Sequence, residues 1–273
     1  MDIKEFSQSL ISHRVVNGIN QWVESSHKNV CIQGFCGSSC ALFFASSILA
    51  KTNTVYILND AEEAAYFYHD LLQLLSPDDV YYFPSSYKKR VREGDQKDAA
   101  NQVLRTEALN DISQKQSWIL VTYPEAIAER VIPQQDLSKE TLHLAVGEKL
   151  DSDFVISLLV EYGFERVDFV YEPGQFAVRG SIIDVFSFSH DVPFRIDFFG
   201  DTIDTIRTFD IESQLSIEKK THISIVSNSV NIEENALVPL FKFFTNKVVY
   251  TIKNTPYVVD LIDKINQEND ETR

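Results

Sequence analysis

The chain has 273 residues, 44% of them hydrophobic and 24% charged, and a formal net charge of -15. That length supports one large domain or two modest ones, each burying a core, and the composition excludes a disordered chain. The acidic balance disfavours coating of nucleic acid and adhesion to anionic membranes, except where a local basic stripe overrides it.

The opening residues MDIKEFSQSLISHRVV carry acidic side chains and no apolar core of a secretory signal, and no run reaches the length of a spanning helix. A cytoplasmic, non-membrane protein is expected. Residues 3–26 place Phe6, Leu10, Ile11, Val15, Ile19, Trp22 and Val23 at helical spacing, which predicts one amphipathic helix. Asn29 to Gln33 (NVCIQ) reads as a short apolar strand, followed by the glycine loop Gly34-Phe-Cys-Gly37-Ser38-Ser39 and an apolar helix from Cys40 to Leu49. Strand, glycine loop and helix is the layout of a phosphate-binding P-loop, G-x-x-x-x-G-K-[ST]. With Gly37 as the second glycine, Ile32 stands at the first, Ser38 replaces the lysine and Ser39 keeps the hydroxyl. The cation that would reach the β and γ phosphates is therefore missing, and Gly34, Gly37, Ser38 and Ser39 read as a degenerate loop kept for its tight turn, with weak anion binding at the helix N-terminus as the alternative. The three cysteines, Cys31, Cys36 and Cys40, fall in the same segment. Their spacing is not C-x-x-C and no histidine flanks them, so reduced thiols are expected rather than a metal site.

Thr54 to Leu58, Val80 to Phe83 and Trp118 to Thr122 are apolar strands, alternating with helices over Ala61 to Leu75 and from Asn101 past Leu109; a short helix follows at Pro124 to Arg130. That alternation predicts a largely parallel sheet. Lys88, Lys89, Arg90 and Arg92 form the one dense basic cluster, read as a solvated loop with a nucleic-acid backbone as the alternative. Rhythm changes near Ile132-Pro133. Leu142 to Val146 reads as a strand, and Asp151 to Tyr162 as a helix stopped by Gly163. A four-strand meander follows, near Gln175 to Val178, Ser181 to Phe188, Phe194 to Phe199 and Thr202 to Phe209, punctuated by Gly174, Gly180 and Gly200. After Gln214 come the strand Ile223 to Val226, a helix or strand over Ala236 to Phe244, the strand Lys247 to Ile252 and the helix Tyr257 to Ile265.

Catalytic patterns are missing from this sequence: the six histidines are scattered, and neither H-E-x-x-H nor G-x-S-x-G occurs. No catalytic residue, metal or cofactor is assigned. The meander offers a surface instead. Alternation along Phe194 to Phe199 puts Phe194, Ile196 and Phe198 on a core face and Arg195, Asp197 and Phe199 on the other, which predicts that Arg195 and Phe199 face solvent together. Arg179 and Arg166 would add positive charge to that side. An arginine beside an exposed aromatic suits a protein interface. Local pairing of Arg179, Arg195 and Arg166 with Asp184, Asp197 and Asp168, with Phe199 partly buried, fits the same pattern, and the pattern alone leaves both open.

The run YGFERVDFVYEPGQFAVRGSIIDVFSFSHDVPFRIDFFGDTIDTIRTFDIESQLS, residues 162–216, carries G-x-F-A-V-R-G-x-I-I-D-[IV]-F and P-x-R-I-[DE]-F-F-G-D-x-I-[DE]-x-I-R-x-F-D. With the degenerate GFCGSSCAL loop, it resembles the N-terminal UvrB-homology region of the bacterial transcription-repair coupling factors and, more distantly, UvrB. The resemblance covers residues 1 to about 225 and fades beyond them. It implies an α/β fold: a degenerate P-loop, helicase-like parallel-sheet domain begun by residues 1–134, an inserted α+β domain carrying the meander over 135–220, and a return segment over 221–273. UvrB has an intact P-loop that supports ATP hydrolysis, whereas this copy in the coupling factors is degenerate, so Ser38 favours the coupling factors. The inserted domain in both families docks UvrA, and the family's contact positions fall on Arg179, Arg195 and Phe199, with Arg166 matching an arginine on the UvrB side. Ala177 stands where UvrB has a further arginine, which alters the charge patch. The resemblance thus implies a non-enzymatic UvrA-recruiting module of transcription-coupled nucleotide excision repair. ATP and Mg, RNA polymerase and DNA would be handled by other regions of a longer translocase, whose distal domains would also mask this surface. The alternative is a UvrB-like nucleotide- or DNA-binding ATPase fragment.

Overall fold

The computed structural model describes residues 3–25, 29–87, 99–139, 141–188, 190, 192–227 and 236–271. The chain divides into two compact units, the first made of Met1–Ser86, Asp111–Arg130 and Pro239–Arg273, the second of Tyr87–Asn110 and Val131–Val238.

The chain starts with α1 (Ile3–Ser9) and α2 (Arg14–Glu24) rather than the single helix expected over 3–26. The break has a local cause. The His13 ring accepts a hydrogen bond from the Val15 amide at 3.3 Å and caps α2, while the Asn17 amide donates to the Ser12 carbonyl at 3.2 Å. These side-chain bonds compete with a continuous helix. The strand expected at Asn29 to Gln33 is not formed: the segment has no regular structure, and Val30 and Ile32 are exposed. Alternating apolar residues make a strand only where a partner supplies backbone hydrogen bonds.

Next come α3 (Ser39–Ala45), β1 (Thr54–Ile57), α4 (Ala61–Leu74), β2 (Val80–Tyr82), α5 (Ala99–Gln114), β3 (Ile119–Thr122) and α6 (Pro124–Ala128). Asp60 caps α4, its carboxylate accepting from the Glu63 amide at 2.8 Å. The middle of the chain continues with β4 (Arg130–Val131), α7 (Gln134–Lys139), β5 (Thr141–Ala145), α8 (Ser152–Glu161), β6 (Glu165–Arg166), β7 (Gln175–Arg179) and β8 (Ile182–Val185). Then follow β9 (Phe194–Phe199), β10 (Thr202–Phe209), β11 (Ser216–Lys220), β12 (His222–Val226), β13 (Val238–Pro239), α9 (Leu240–Phe243), β14 (Val249–Ile252) and α10 (Thr255–Glu271).

In the first unit β14, β1, β3 and β2 lie in that order, all parallel. Every residue of β1 and β3 is buried, as expected of parallel strands covered on both faces. Leu71 and Phe67 of α4 are buried, and the Phe67 ring lies 4.2 Å from that of Tyr56. This is the parallel sheet that the strand–helix alternation predicted, and it is consistent with the helicase-like α/β fold that the resemblance implied.

The second unit holds a six-stranded sheet in the order β11-β10-β9-β8-β7-β6, antiparallel except for the β6–β7 pair. One face buries Phe176, Ile183, Val185, Phe194, Ile196 and Phe198 in a cluster that also holds Val155 and Leu159 of α8 and Ile223 and Ile225 of β12. Each of these large side chains contributes roughly 1.5–3 kcal/mol on burial. β12 pairs antiparallel with β5 in this unit, and the Ser187 hydroxyl accepts from the Val226 amide at 3.0 Å. The opposite face is also covered: Val170, Ala177, Phe186 and Phe209 form a second, smaller apolar cluster.

Candidate functional site

Cross-strand register fixes the site. On the face opposite the main core, Ala177, Asp184, Arg195 and Arg207 stand side by side across four strands, and Arg179, Ile182, Asp197 and Thr205 form the next row. The two rows differ in depth because the small cluster covers the first.

Arg195 lies in the covered row. Its Nε donates to Asp184 Oδ1 at 2.7 Å, its Nη2 to Asp184 Oδ2 at 2.9 Å and its Nη1 to the Gln214 carbonyl at 3.0 Å. The guanidinium also lies 4.5 Å from the centre of the Phe209 ring. Only 14% of the side chain is exposed. The expectation that it faces solvent beside Phe199 is thus corrected: Arg195 is on the anticipated face, but that face is roofed by Phe209 and the Asp210–Leu215 turn. Hydrogen bonding to Asp184 raises its pKa above the ordinary arginine value against the opposing effect of burial.

The roofing turn is locally determined. Asp210 accepts from the Ser213 amide at 2.8 Å and the Ser213 hydroxyl at 2.7 Å, and these bonds hold its carboxyl below the usual range, the hydroxyl first. Gln214 has a φ of 59°, alone among the described non-glycine residues in being positive. That left-handed backbone turns its carbonyl onto Arg195.

Arg179 is at the end of β7, with 39% of its side chain exposed. It too donates to Asp184 Oδ2, and its guanidinium lies 5.3 Å from the Phe169 ring centre. Asp184 itself is 1% exposed. One buried carboxylate therefore holds two arginines, one enclosed and one at the surface. Asp197 pairs instead with Arg207, at 3.7 Å.

Phe199 ends β9 beside Gly200 and is 82% exposed, the most exposed large apolar side chain among the described residues. Arg166 is exposed on β6. Together with Asp168, Phe169 and Arg179 it lines an open cleft of about 800 Å³. The structure thus brings Arg166 and Arg179 to one cleft, ties Arg195 to Arg179 through their shared Asp184, and adds Phe169, which the residue pattern did not single out. Its signal was a surface aromatic three residues beyond Arg166 in FERVDF.

The glycine loop is built differently. Gly34 and Gly37 have φ of 98° and 52°, and Ser39 Oγ accepts from the Cys36 amide at 2.9 Å, so the hydroxyl in the magnesium-ligand position is used inside the loop. Ser38 is the N-cap of α3 and makes no side-chain capping bond. The cysteines are free; Cys31 and Cys36 are exposed, and Cys40 contacts the Tyr56 hydroxyl at 2.7 Å. Among the described residues no group of three or more His, Cys, Asp or Glu could hold a metal ion, and no helix is long and apolar enough to cross a membrane. The basic cluster Lys88, Lys89, Arg90 and Arg92 lies outside the described residues.

Residues 142–230 match the family model described as the UvrB interaction domain. The chain is 30% identical over 216 residues to the transcription-repair-coupling factor of Bacillus subtilis (strain 168), covering 77% of this chain and 18% of that protein. It is 30% identical over 138 residues to the transcription-repair-coupling factor of Escherichia coli (strain K12), covering 50% of this chain and 12% of that protein. To the UvrABC system protein B of Clostridium botulinum (strain 657 / Type Ba4) it is 28% identical over 237 residues, 82% of this chain and 36% of that protein. The chain spans well under half the length of each of these relatives.

Proposed function

We propose, from the match of residues 142–230 to the UvrB interaction domain, that this chain acts in nucleotide excision repair as a UvrA-recruiting module of a transcription-repair coupling factor. The observation that carries the reading is the corner of the six-stranded sheet where Phe199 stands almost free of protein contacts. An aromatic so exposed costs solvation in the free chain and is stabilised when a partner desolvates it. Arg179 and Arg166 supply orientation and on-rate towards an acidic, partly apolar groove on UvrA, and Arg195 supports Arg179 through the Asp184 they share.

This stretch works without hydrolysing ATP. Ser38 stands in place of the P-loop lysine, and Ser39 is engaged within its own loop. ATP, Mg, RNA polymerase and DNA are then handled by other regions of the longer factor, and its distal domains are further partners of this surface. Titration with ATP and Mg is expected to give no saturable binding; saturation that a Gly37 substitution removes would instead establish a UvrB-like nucleotide site.

Recruitment is tested by calorimetry of the chain with purified UvrA. Phe199→Ala is expected to leave thermal stability within about 0.5 kcal/mol and to weaken UvrA binding by about 2 kcal/mol or more, some 30-fold. Wild-type binding that Phe199→Ala and Arg179→Ala leave unchanged would sink the reading.

A further inference from the structure

Asp184 is the acidic residue of the G-x-F-A-V-R-G-x-I-I-D-[IV]-F motif, and nothing in the recruitment reading uses it. It is buried beneath the surface it would serve. Its Oδ1 is occupied by Arg195 Nε, and its Oδ2 by both Arg195 Nη2 and Arg179 Nη2. For stability alone this is a poor arrangement. Ala177, Phe186 and Phe209 already make an apolar cluster on this face, and a buried ion pair stabilises no better than apolar side chains of similar volume. The geometry does something an apolar pair could not. Arg195 neutralises Asp184 from inside, leaving a carboxylate edge that fixes the guanidinium of the exposed Arg179, whose other side rests against Phe169. A free arginine side chain loses rotamer entropy when a partner captures it; one held at two points has already lost it.

We propose that Asp184 is a positioning residue of the UvrA-binding surface: it holds the Arg179 guanidinium over Phe169, facing the Arg166–Arg179 cleft, in the pose that receives an acidic side chain of the partner. The inference rests on the recruitment reading and assigns Asp184 no contact with UvrA. It divides the arginines by role, with Arg195 the counter-ion of Asp184 and Arg179 the donor to the partner.

The test is a double-mutant cycle on the full chain with purified UvrA, using Asp184→Asn, Arg179→Ala and the double variant, with thermal melts of each. Asp184→Asn is expected to weaken binding at least tenfold in the wild-type background and less than twofold in the Arg179→Ala background. A general structural lesion would multiply with Arg179→Ala, and that result, or an unchanged affinity for Asp184→Asn, overturns the inference while leaving recruitment standing. Should Asp184→Asn fail to fold, Asp184→Glu, which keeps the charge and displaces it by one methylene, decides by the same criterion. A wild-type chain that does not bind UvrA overturns the recruitment reading, and this inference with it.

Discussion

Arg195→Ala separates a support beneath the surface from a contact upon it. The substitution removes both hydrogen bonds that Arg195 donates to Asp184, the bond to the Gln214 carbonyl and the packing on Phe209. Asp184 stays buried, with only the half-exposed Arg179 as partner. Breaking a buried pair by removing one member costs about 3–5 kcal/mol, chiefly through the uncompensated charge. Because Arg179 retains part of the compensation, the lower end, about 3 kcal/mol, is expected. At roughly 3 °C per kcal/mol for units of this size, the melting transition of the second unit should fall by about 10 °C. Differential scanning calorimetry of the variant beside Phe199→Ala measures it, the latter serving as a surface control. Replacing both partners, as in Asp184→Leu with Arg195→Met, should recover most of the loss, since the apolar cluster of Phe186 and Phe209 is there to receive them. If Arg195→Ala melts with the wild type, the buried-pair reasoning is refuted.

Two further outcomes follow from local geometry. Burial, with a smaller effect of Lys220, lowers the His190 pKa to about 4, whereas an unfolded histidine titrates near about 6.5. The unfolded chain therefore takes up the proton first, so this contribution to stability is intact above the unfolded value and is lost as pH falls towards the folded one. Moving from pH 7 to pH 5 should cost the second unit about 1–2 kcal/mol through His190, given that the ring is only part-buried. Denaturant titrations at both pH values should show that share vanish in His190→Gln; an identical pH difference in the variant would contradict it. Gly174 has a φ of 89°, and a Cβ there would collide with the Phe188 ring. Gly174→Ala is expected to destabilise by more than about 1 kcal/mol, read as a shift in urea midpoint, and an unshifted midpoint would count against the strain.

The meander was legible because apolar and polar residues alternate along β7 to β9, between breaks at Gly174, Gly180, His190 to Pro193 and Gly200. Ser216–Lys220 forms β11 where no element was expected, because an edge strand can leave its side chains in water and still pair with β10. NVCIQ looks like a strand and is not one, because no strand among the described residues pairs with it. At the site, alternation put Arg195 and Phe199 on one face correctly but could not say that the face is covered over Arg195 and bare at Phe199. Phe186 and Phe209 fall on that face by the same alternation, and two large apolar residues there were the available sign of a second covering cluster. The sharing of Asp184 by two arginines depends on register, which the hydrophobic pattern alone does not give.

The parallel sheet carries a consequence for the order in which the protein comes into being. β1 is flanked by β3 on one side and by β14, nearly two hundred positions later, on the other. A ribosome must therefore finish the whole intervening unit before β1 receives its last neighbour. Until Val249–Ile252 emerges, one edge of the apolar Thr54–Ile57 strand stands open, the kind of edge that recruits strands from other chains. The continuous stretch from Val131 to Val238 suffers no such delay, since all six strands of its larger sheet lie within it. Chains truncated just past Val238 and released should accordingly display a folded second unit and an aggregation-prone first one, and the strand Val249–Ile252 acts as the clasp that ends the exposure.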